Sequence, residues 1–239
     1  MSNKIAPQAF WLENLKQADR YNNWIFEQIQ PHLGNNVLEV GCGNGNFTVF
    51  LAQQCDRVLA VDLDSEFIKL AKARLGDFPQ VELMTADVTN WDTTTGDGDI
   101  DQKFDTIILL DVLEHIADDV AMLQKLFSLL QPQGKLILKV PALDSIYGEM
   151  DRAIGHYRRY NQETLAGKLA QAHISQSQTW YFNLAGVPGW WLNSKLLRRN
   201  TPPAAQIGLF NKLVPILCWS EKLVTLPLGL SLFAVAPKD

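Results

Sequence analysis

Five short apolar runs recur along the first 140 residues: NVLEV (36–40), RVLAVD (57–62), VELMTA (81–86), FDTIILL (104–110) and GKLILKV (134–140). Helical patterns lie between several of them. Residues 65–75 place Phe67, Ile68, Ala71 and Leu75 on one face, and residues 116–130 do the same with Ile116, Val120, Leu123, Phe127 and Leu130. Strands that alternate with helices need right-handed crossovers, so the pattern predicts a largely parallel sheet covered on both faces. The fold class is α/β.

An amphipathic helix over 8–33 precedes the first run, carrying Phe10, Trp11, Leu15, Ala18, Tyr21, Ile25 and Ile29, with Pro31 as its stop signal. Past the fifth run the rhythm changes. Residues 161–172 predict a helix capped by Asn161, and 174–182 a strand. A long interval, 183–228, then separates that strand from LSLFAVA (230–236) and holds Trp190, Trp191 and Trp219. It reads as a helical insertion before the last strand. DTTTGDGDID (92–101) reads as a solvated acidic loop.

Length and composition narrow the function. At 239 residues the chain fits one large domain, or a domain with a sizeable insertion. A net charge of −5 gives no basic footprint for nucleic acid. Cys42, Cys55 and Cys218 are too few and too scattered for a disulfide framework or a zinc site, which fits a reducing cytoplasm. The N-terminus has no apolar core of signal-peptide length. The late apolar stretch 207–236 is interrupted by Lys212, Pro215, Glu221, Lys222 and Pro227, a poor membrane span. No tight group of acid and histidine ligands stands out, so no metal is expected.

The first run ends in Gly41, Gly43 and Gly45. Glycine permits positive φ and lets a ligand approach backbone that carries no Cβ, at the strand ends where parallel sheets bind ligands. Asn46 stands where the dinucleotide fingerprint G-x-G-x-x-G has its third glycine, which argues against a nicotinamide or flavin site. Asp62 ends the second strand, where a ribose diol finds a two-acceptor partner. Asp87 follows the third strand, where it can accept from an exocyclic adenine amine, with the Val88 N–H as a second contact. Each has a plainer reading: a tight turn for the glycines, a helix-start acid for Asp62. Cys42 reads as a small residue tolerated in the loop.

Together, EVGCGNG (39–45), VDL (61–63), ADV (86–88), FDTIILLDVLEHIADD (104–119) and GKLILKVP (134–141) resemble the class I S-adenosylmethionine-dependent methyltransferases, in particular the type 11/12 group. The resemblance implies a Rossmann-like sheet of seven strands, the last antiparallel, and a first helix packed over the cofactor. It implies S-adenosylmethionine held by Glu39, Gly41, Cys42, Gly43, Gly45, Asp62, Leu63, Asp87 and Val88, with Leu110 and Asp111 at its methionine end.

The acceptor side is read from two segments. His115 lies just past the fourth strand on the same sheet edge; it is either a general base or a helix-start histidine bonded to backbone. The stretch YGEMDRAIGHYRRYN (147–161) follows the fifth strand and concentrates His156, Tyr157, Arg158, Arg159 and Tyr160 in an otherwise acidic chain. His156 and Tyr157 join His115 as catalytic candidates, and Arg158, Arg159 and Tyr160 are substrate-binding candidates, since guanidinium forks suit carboxylate or phosphate. The alternative is that the arginines brace the domain through Glu149 and Asp151. The stretch 183–228 presents apolar helix faces that fit a lid, a homodimer surface, a hydrophobic substrate or a peripheral membrane contact. The expectation is a cytoplasmic methyltransferase acting on a small anionic or lipid- or glycan-linked acceptor, at oxygen before nitrogen. The rival is a non-catalytic S-adenosylmethionine-binding protein that docks on a partner through 183–228.

Overall fold

A computed structural model of the chain describes residues 10, 11, 14, 18–91 and 103–239. The acidic stretch 92–101 and Leu15 therefore lie outside the described residues.

The first half alternates as the apolar runs require. Helix α1 (Asp19–Ile29) leads into β1 (Asn36–Val40), α2 (Thr48–Ala52), β2 (Arg57–Asp62), α3 (Ser65–Leu75), β3 (Val81–Thr85), β4 (Phe104–Leu110), α4 (Asp119–Ser128) and β5 (Leu130–Pro141). Side-chain caps fix several helix starts: Asp64 accepts from the Glu66 N–H at 2.8 Å before α3, and Asp118 from the Ala121 N–H at 3.0 Å before α4. The second half holds α5 (Glu149–Ile154), α6 (Gln162–Gln171), β6 (Gln178–Phe182), α7 (Gly186–Trp191), a π-helical turn Leu192–Leu196, α8 (Ala204–Glu221) and β7 (Ser231–Pro237). Asn161 caps α6 reciprocally with Thr164, at 2.7 and 2.9 Å.

The seven strands form one sheet in the order β3-β2-β1-β4-β5-β7-β6. Pairing is parallel from β3 to β5, and β7 runs antiparallel to both neighbours. Successive residues of the central strands bury opposite faces. Leu38, Val40, Ile107, Leu109 and Leu138 pack with Leu123 and Leu126 of α4 and Leu165 of α6. Val37, Val58, Ile108, Ile137 and Phe233 pack with Trp24, Ile25 and Ile29 of α1. Each such side chain contributes about 1.5–3 kcal/mol relative to exposure.

Boundaries differ from the periodic reading at four places. The helical pattern at 116–130 starts only at Asp119, because Leu113–His115 close a 3₁₀ turn. Strand β5 begins at Leu130, earlier than its apolar run, with an irregular register between Phe104 and Thr106 of its partner. Residues 174–177 stay outside β6. At the N-terminal end, Asp19–Ile29 are followed by a 3₁₀ turn, Gln30–His32, that contains Pro31.

The order positions the site. Strand β1 sits between β2 and β4, so the chain crosses away from it in opposite directions and leaves a cleft beyond the carboxyl ends of β1 and β4.

Candidate active site

The floor of the cleft is the turn after β1. Gly41, Gly43 and Gly45 take φ of 74°, 55° and 78°, a region L side chains rarely enter. They do different work. A Cβ on Gly41 would come within 2.4 Å of Val112 Cγ2, whereas one on Gly45 would meet Leu75 Cδ1 at 2.9 Å. Gly45 thus lets α3 pack against the turn and does not line the cavity, while Gly41 and Gly43 do. Asp62 fastens this turn to β2: its Oδ2 accepts from the Gly43 N–H at 2.8 Å and its Oδ1 from the Asp64 N–H at 2.9 Å. Burial raises the Asp62 carboxyl above its ordinary pKa, against those hydrogen bonds.

Beneath the turn, Glu39 is buried and accepts from the Thr48 hydroxyl at 2.6 Å. Burial pushes its pKa up to about 8. The Cys42 thiol, also buried, is pushed far above its ordinary value by burial and by Glu39, so it is no nucleophile. Asp87 spends its carboxylate on capping the next turn, accepting from the Thr89 N–H at 3.0 Å and the Asn90 amide at 2.7 Å. Leu63 stands 72% exposed at the cavity rim.

Asp111, just past β4, holds a positive φ of 57° without being glycine. Its N–H donates to the Lys139 carbonyl at 2.8 Å and its carboxylate pairs with the Lys139 ammonium. Burial opposes the charge of Lys139, but Asp111 outweighs it and raises the lysine's pKa. Such strain persists only where the surroundings over-determine it, and it gathers at functional sites.

The wall is built from two distant segments. His115 and His156 pack edge to face, ring centres 4.8 Å apart. Asp151, wholly buried, accepts from Arg159 Nε at 2.8 Å, Trp190 Nε1 at 3.2 Å and the Gly148 N–H at 2.9 Å, and lies 2.9 Å from His156 Nδ1. Burial works against the Asp151 charge, and His156 and Arg159 overcome it, holding the carboxyl below its usual range. Behind His156, Glu114 Oε1 lies 3.6 Å from Nε2, and neither Glu114 oxygen is hydrogen-bonded. Burial lifts that carboxyl well above the usual range, which favours the neutral acid. Burial, then His156, lowers His115 to about 4, so it is uncharged at neutral pH.

The roof comes from 183–228. Trp190 lies over the Arg159 guanidinium at 4.5 Å and stacks on Trp11 at 5.7 Å. With Asn193, Gln206, Ile207 and Phe210 it closes a cavity of about 890 Å³ that also reaches Gly41, Asp62, Asp87, Leu110, Asp111, His115, His156 and Arg159. That volume lies in the usual range for small-molecule sites, about 300–1,000 Å³. The backbone-lined turn 41–43, with Asp62 beside it in a cavity of this size, suits a nucleoside-sized group, so these residues fit the cofactor that the sequence motifs imply.

The structure separates the 156–160 cluster. His156 and Arg159 reach the cavity; Tyr157, Arg158 and Tyr160 do not line it. Arg158 pairs with Asp119 at 2.5 Å and donates to the Ala117 carbonyl at 2.9 Å. The Tyr160 hydroxyl donates to the same Asp119 at 3.1 Å, and Tyr157 stands 61% exposed. The bracing reading of the two arginines holds for Arg159 through Asp151, although Arg159 also lines the cavity, whereas Arg158 braces through Asp119 and not Glu149 or Asp151. Sequence reasoning passed over Glu114 and Lys139, and named Trp190 only as part of the insertion. Lys139 had a signal, a lone charge inside an apolar strand run. Glu114, His115 and His156 offer ligand atoms within 4.8 Å of one another, which makes them the one group among the described residues that could hold a metal ion. The 41-residue separation of His115 and His156 hid it from spacing rules.

Known proteins bear on this geometry. Residues 38–136 match the family model described as a methyltransferase domain. Nodulation protein S of Bradyrhizobium diazoefficiens is 33% identical over 105 residues, 43% of this chain and 47% of that protein. A ubiquinone biosynthesis O-methyltransferase of Xanthomonas euvesicatoria is 34% identical over 106 residues, 44% of this chain and 42% of the relative. The chain thus spans about half the length of the curated relatives it matches, or less. Among solved structures, N-methyltransferase NodS from Bradyrhizobium japonicum in complex with S-adenosyl-L-homocysteine covers 71% of this chain and 82% of its own, at 21% identity and a TM-score of 0.52. A SAM-dependent methyltransferase from Archaeoglobus fulgidus covers 96% of this chain and 99% of its own, at 16% identity and a TM-score of 0.62. The domain match lies over the strands that build the cleft, and the chain has the fold of S-adenosylmethionine-dependent methyltransferases.

Proposed function

We propose that this chain moves a methyl group from S-adenosylmethionine to a small anionic or lipid- or glycan-linked acceptor, at oxygen in preference to nitrogen. The observation that carries the acceptor reading is Arg159. It is buried, two of its nitrogens are fixed by Asp151 and the Ala142 carbonyl, and its Nη2 has no hydrogen-bond partner while the residue lines the cavity. A buried guanidinium nitrogen left unmatched costs free energy, and an acceptor carboxylate or phosphate would satisfy it. The apolar roof suits the rest of a lipid-like acceptor.

Gly41, Gly43, Asp62, Leu63, Asp87, Val88, Leu110 and Asp111 would hold the cofactor, which when bound supplies an electrophilic methyl on a sulfonium. The protein's share is orientation and the fate of one proton. Asp151 fixes His156 through Nδ1, and Nε2, which has Glu114 Oε1 3.6 Å away, would take the proton of an acceptor hydroxyl. His115, uncharged and a weak base, accepts a hydrogen bond from the acceptor and orients it. The curated relatives named above include an O-methyltransferase, and a histidine held by a carboxylate suits a hydroxyl acceptor better than an amine.

Incubation with methyl-labelled S-adenosylmethionine and a panel of anionic hydroxy compounds and lipid-linked extracts tests this. Arg159→Lys keeps the charge beside Asp151 but removes Nη2, and should lower turnover at least tenfold with the affinity for S-adenosylhomocysteine unchanged. Cofactor binding with no labelled product from the panel or a cell extract would favour the non-catalytic reading.

A further inference from the structure

The outer surface of the insertion has work left over. Residues 184–230 hold five basic side chains and one acidic one, in a chain whose net charge is −5. The one acid, Glu221, turns inward and accepts from the backbone N–H groups of Asn183 at 3.0 Å and Leu184 at 2.8 Å. Lys222 pairs with Glu27 at 3.0 Å. Lys195, Arg198 and Lys212 are exposed, and no carboxylate pairs with them among the described residues.

Among these cations lies apolar surface. Leu209, Leu213, Ile216 and Trp219 follow one another along α8 at steps of four, three and three, and are 60%, 44%, 65% and 63% exposed. The adjoining turn presents Leu196 and Leu197 at 61% and 47%. The two elements are tied together by the Asn193 amide, which donates to Gln206 at 2.8 Å. Their other faces already serve the cavity through Asn193, Gln206, Ile207 and Phe210. A helix apolar on both sides needs cover on both.

Charge decides what the cover is. A second copy in a two-fold pairing would set the same cations against each other. A negatively charged bilayer covers the apolar stripe and answers the cations at once. No helix among the described residues is long and apolar enough to cross a membrane, and α8 carries Lys212 and Pro215 on its length. We propose that α8 and the turn before it seat in the headgroup–acyl boundary of an anionic membrane, with Lys195, Arg198 and Lys212 on lipid phosphates. The proposal stands on the insertion's outer face and does not depend on methyl transfer.

The test is co-sedimentation of the whole chain with phosphatidylglycerol–phosphatidylcholine vesicles, and with phosphatidylcholine alone, in low and high salt. Binding to the anionic vesicles should fall at least tenfold in pure phosphatidylcholine, and again in 1 M salt, where the Debye length shrinks to about 3 Å. Leu209→Glu with Ile216→Glu should lose at least tenfold in binding, with the melting temperature showing that the fold is kept. Lys195→Gln with Arg198→Gln and Lys212→Gln, which leaves the apolar stripe intact, should lose at least tenfold, on the order of a hundredfold, through charge alone. Absence of vesicle binding overturns the proposal, as does binding indifferent to lipid charge. A homodimer in sedimentation equilibrium that the Leu209/Ile216 variant dissociates, with no vesicle binding, would assign the face to a second copy instead.

Discussion

The floor and the roof of the cavity are built by opposite means. The floor is backbone: the glycine turn after β1, Asp62 accepting from two N–H groups, and Asp87 capping its own turn. The roof is side chains from residues 190–210, held by contacts to Trp11, Tyr21, Asp151 and Arg159 across long separations. A backbone floor tolerates one ligand and few substitutions, because each residue is fixed by φ or by a hydrogen bond to its neighbour. A side-chain roof can change its lining without disturbing the sheet. On the proposed function, recognition of the cofactor would fall to the floor and choice of the acceptor to the roof, and substitutions should separate the two.

The largest effect belongs to the floor. Gly41→Ala places a Cβ against Val112 at a φ of 74°, so it should cost about 1–3 kcal/mol in strain and abolish binding of S-adenosylhomocysteine. Thermal melting and calorimetric titration read both; a tolerated alanine with normal binding would mean that the turn is not the cradle. Next comes Asp62→Ala, which unpins Gly43 and Asp64. Cofactor affinity should fall more than tenfold, about 1.4 kcal/mol or more, while the fold remains.

Both residues were legible because what they do is local. A glycine at a strand end and an acid closing the next strand state their geometry within a few positions, as does the Asn161–Thr164 cap. The pattern at 156–160 was not. Arg158 and Arg159 are neighbours, yet one braces Asp119 and the other meets Asp151 and the cavity. Which way each points depends on where α4 and α5 lie, and no period of two or 3.6 encodes that. Glu114 was hidden for the same reason, since its meaning comes from His156. In the roof, α8 is apolar on nearly all sides, so periodicity could say that it is a helix but not which side faces the cavity.

A smaller effect is written in pH. Glu39 carries its proton in the folded state up to about pH 8, against an ordinary 4.5, because burial disfavours the charge. Its contribution to stability is therefore full below the unfolded pKa and is lost as pH rises through 8. Glu39→Gln keeps the acceptor for Thr48 and has no charge to bury. The melting temperature of the parent should fall relative to this variant between pH 5 and pH 9, and equal pH profiles would show that Glu39 is not buried as a neutral acid.

The smallest effect sharpens the contrast from above. Trp190→Phe removes the N–H donated to Asp151 but retains an aromatic face for Trp11 and Arg159. The acceptor KM should rise a few-fold and cofactor affinity should not move. A loss of cofactor binding instead would join floor and roof into one site and break the separation.

The central claim is that the floor holds an adenosyl-methionine group. It is tested most directly by the thermal shift of the purified chain with S-adenosylhomocysteine, with NAD in parallel. A ligand that binds only the folded state stabilises it by roughly 2.7 kcal/mol at about 100 times its Kd. For a chain of this size that raises Tm by about 5–10 °C. The account predicts such a shift with S-adenosylhomocysteine and none with NAD. No shift with S-adenosylhomocysteine, or a larger one with NAD, would contradict it.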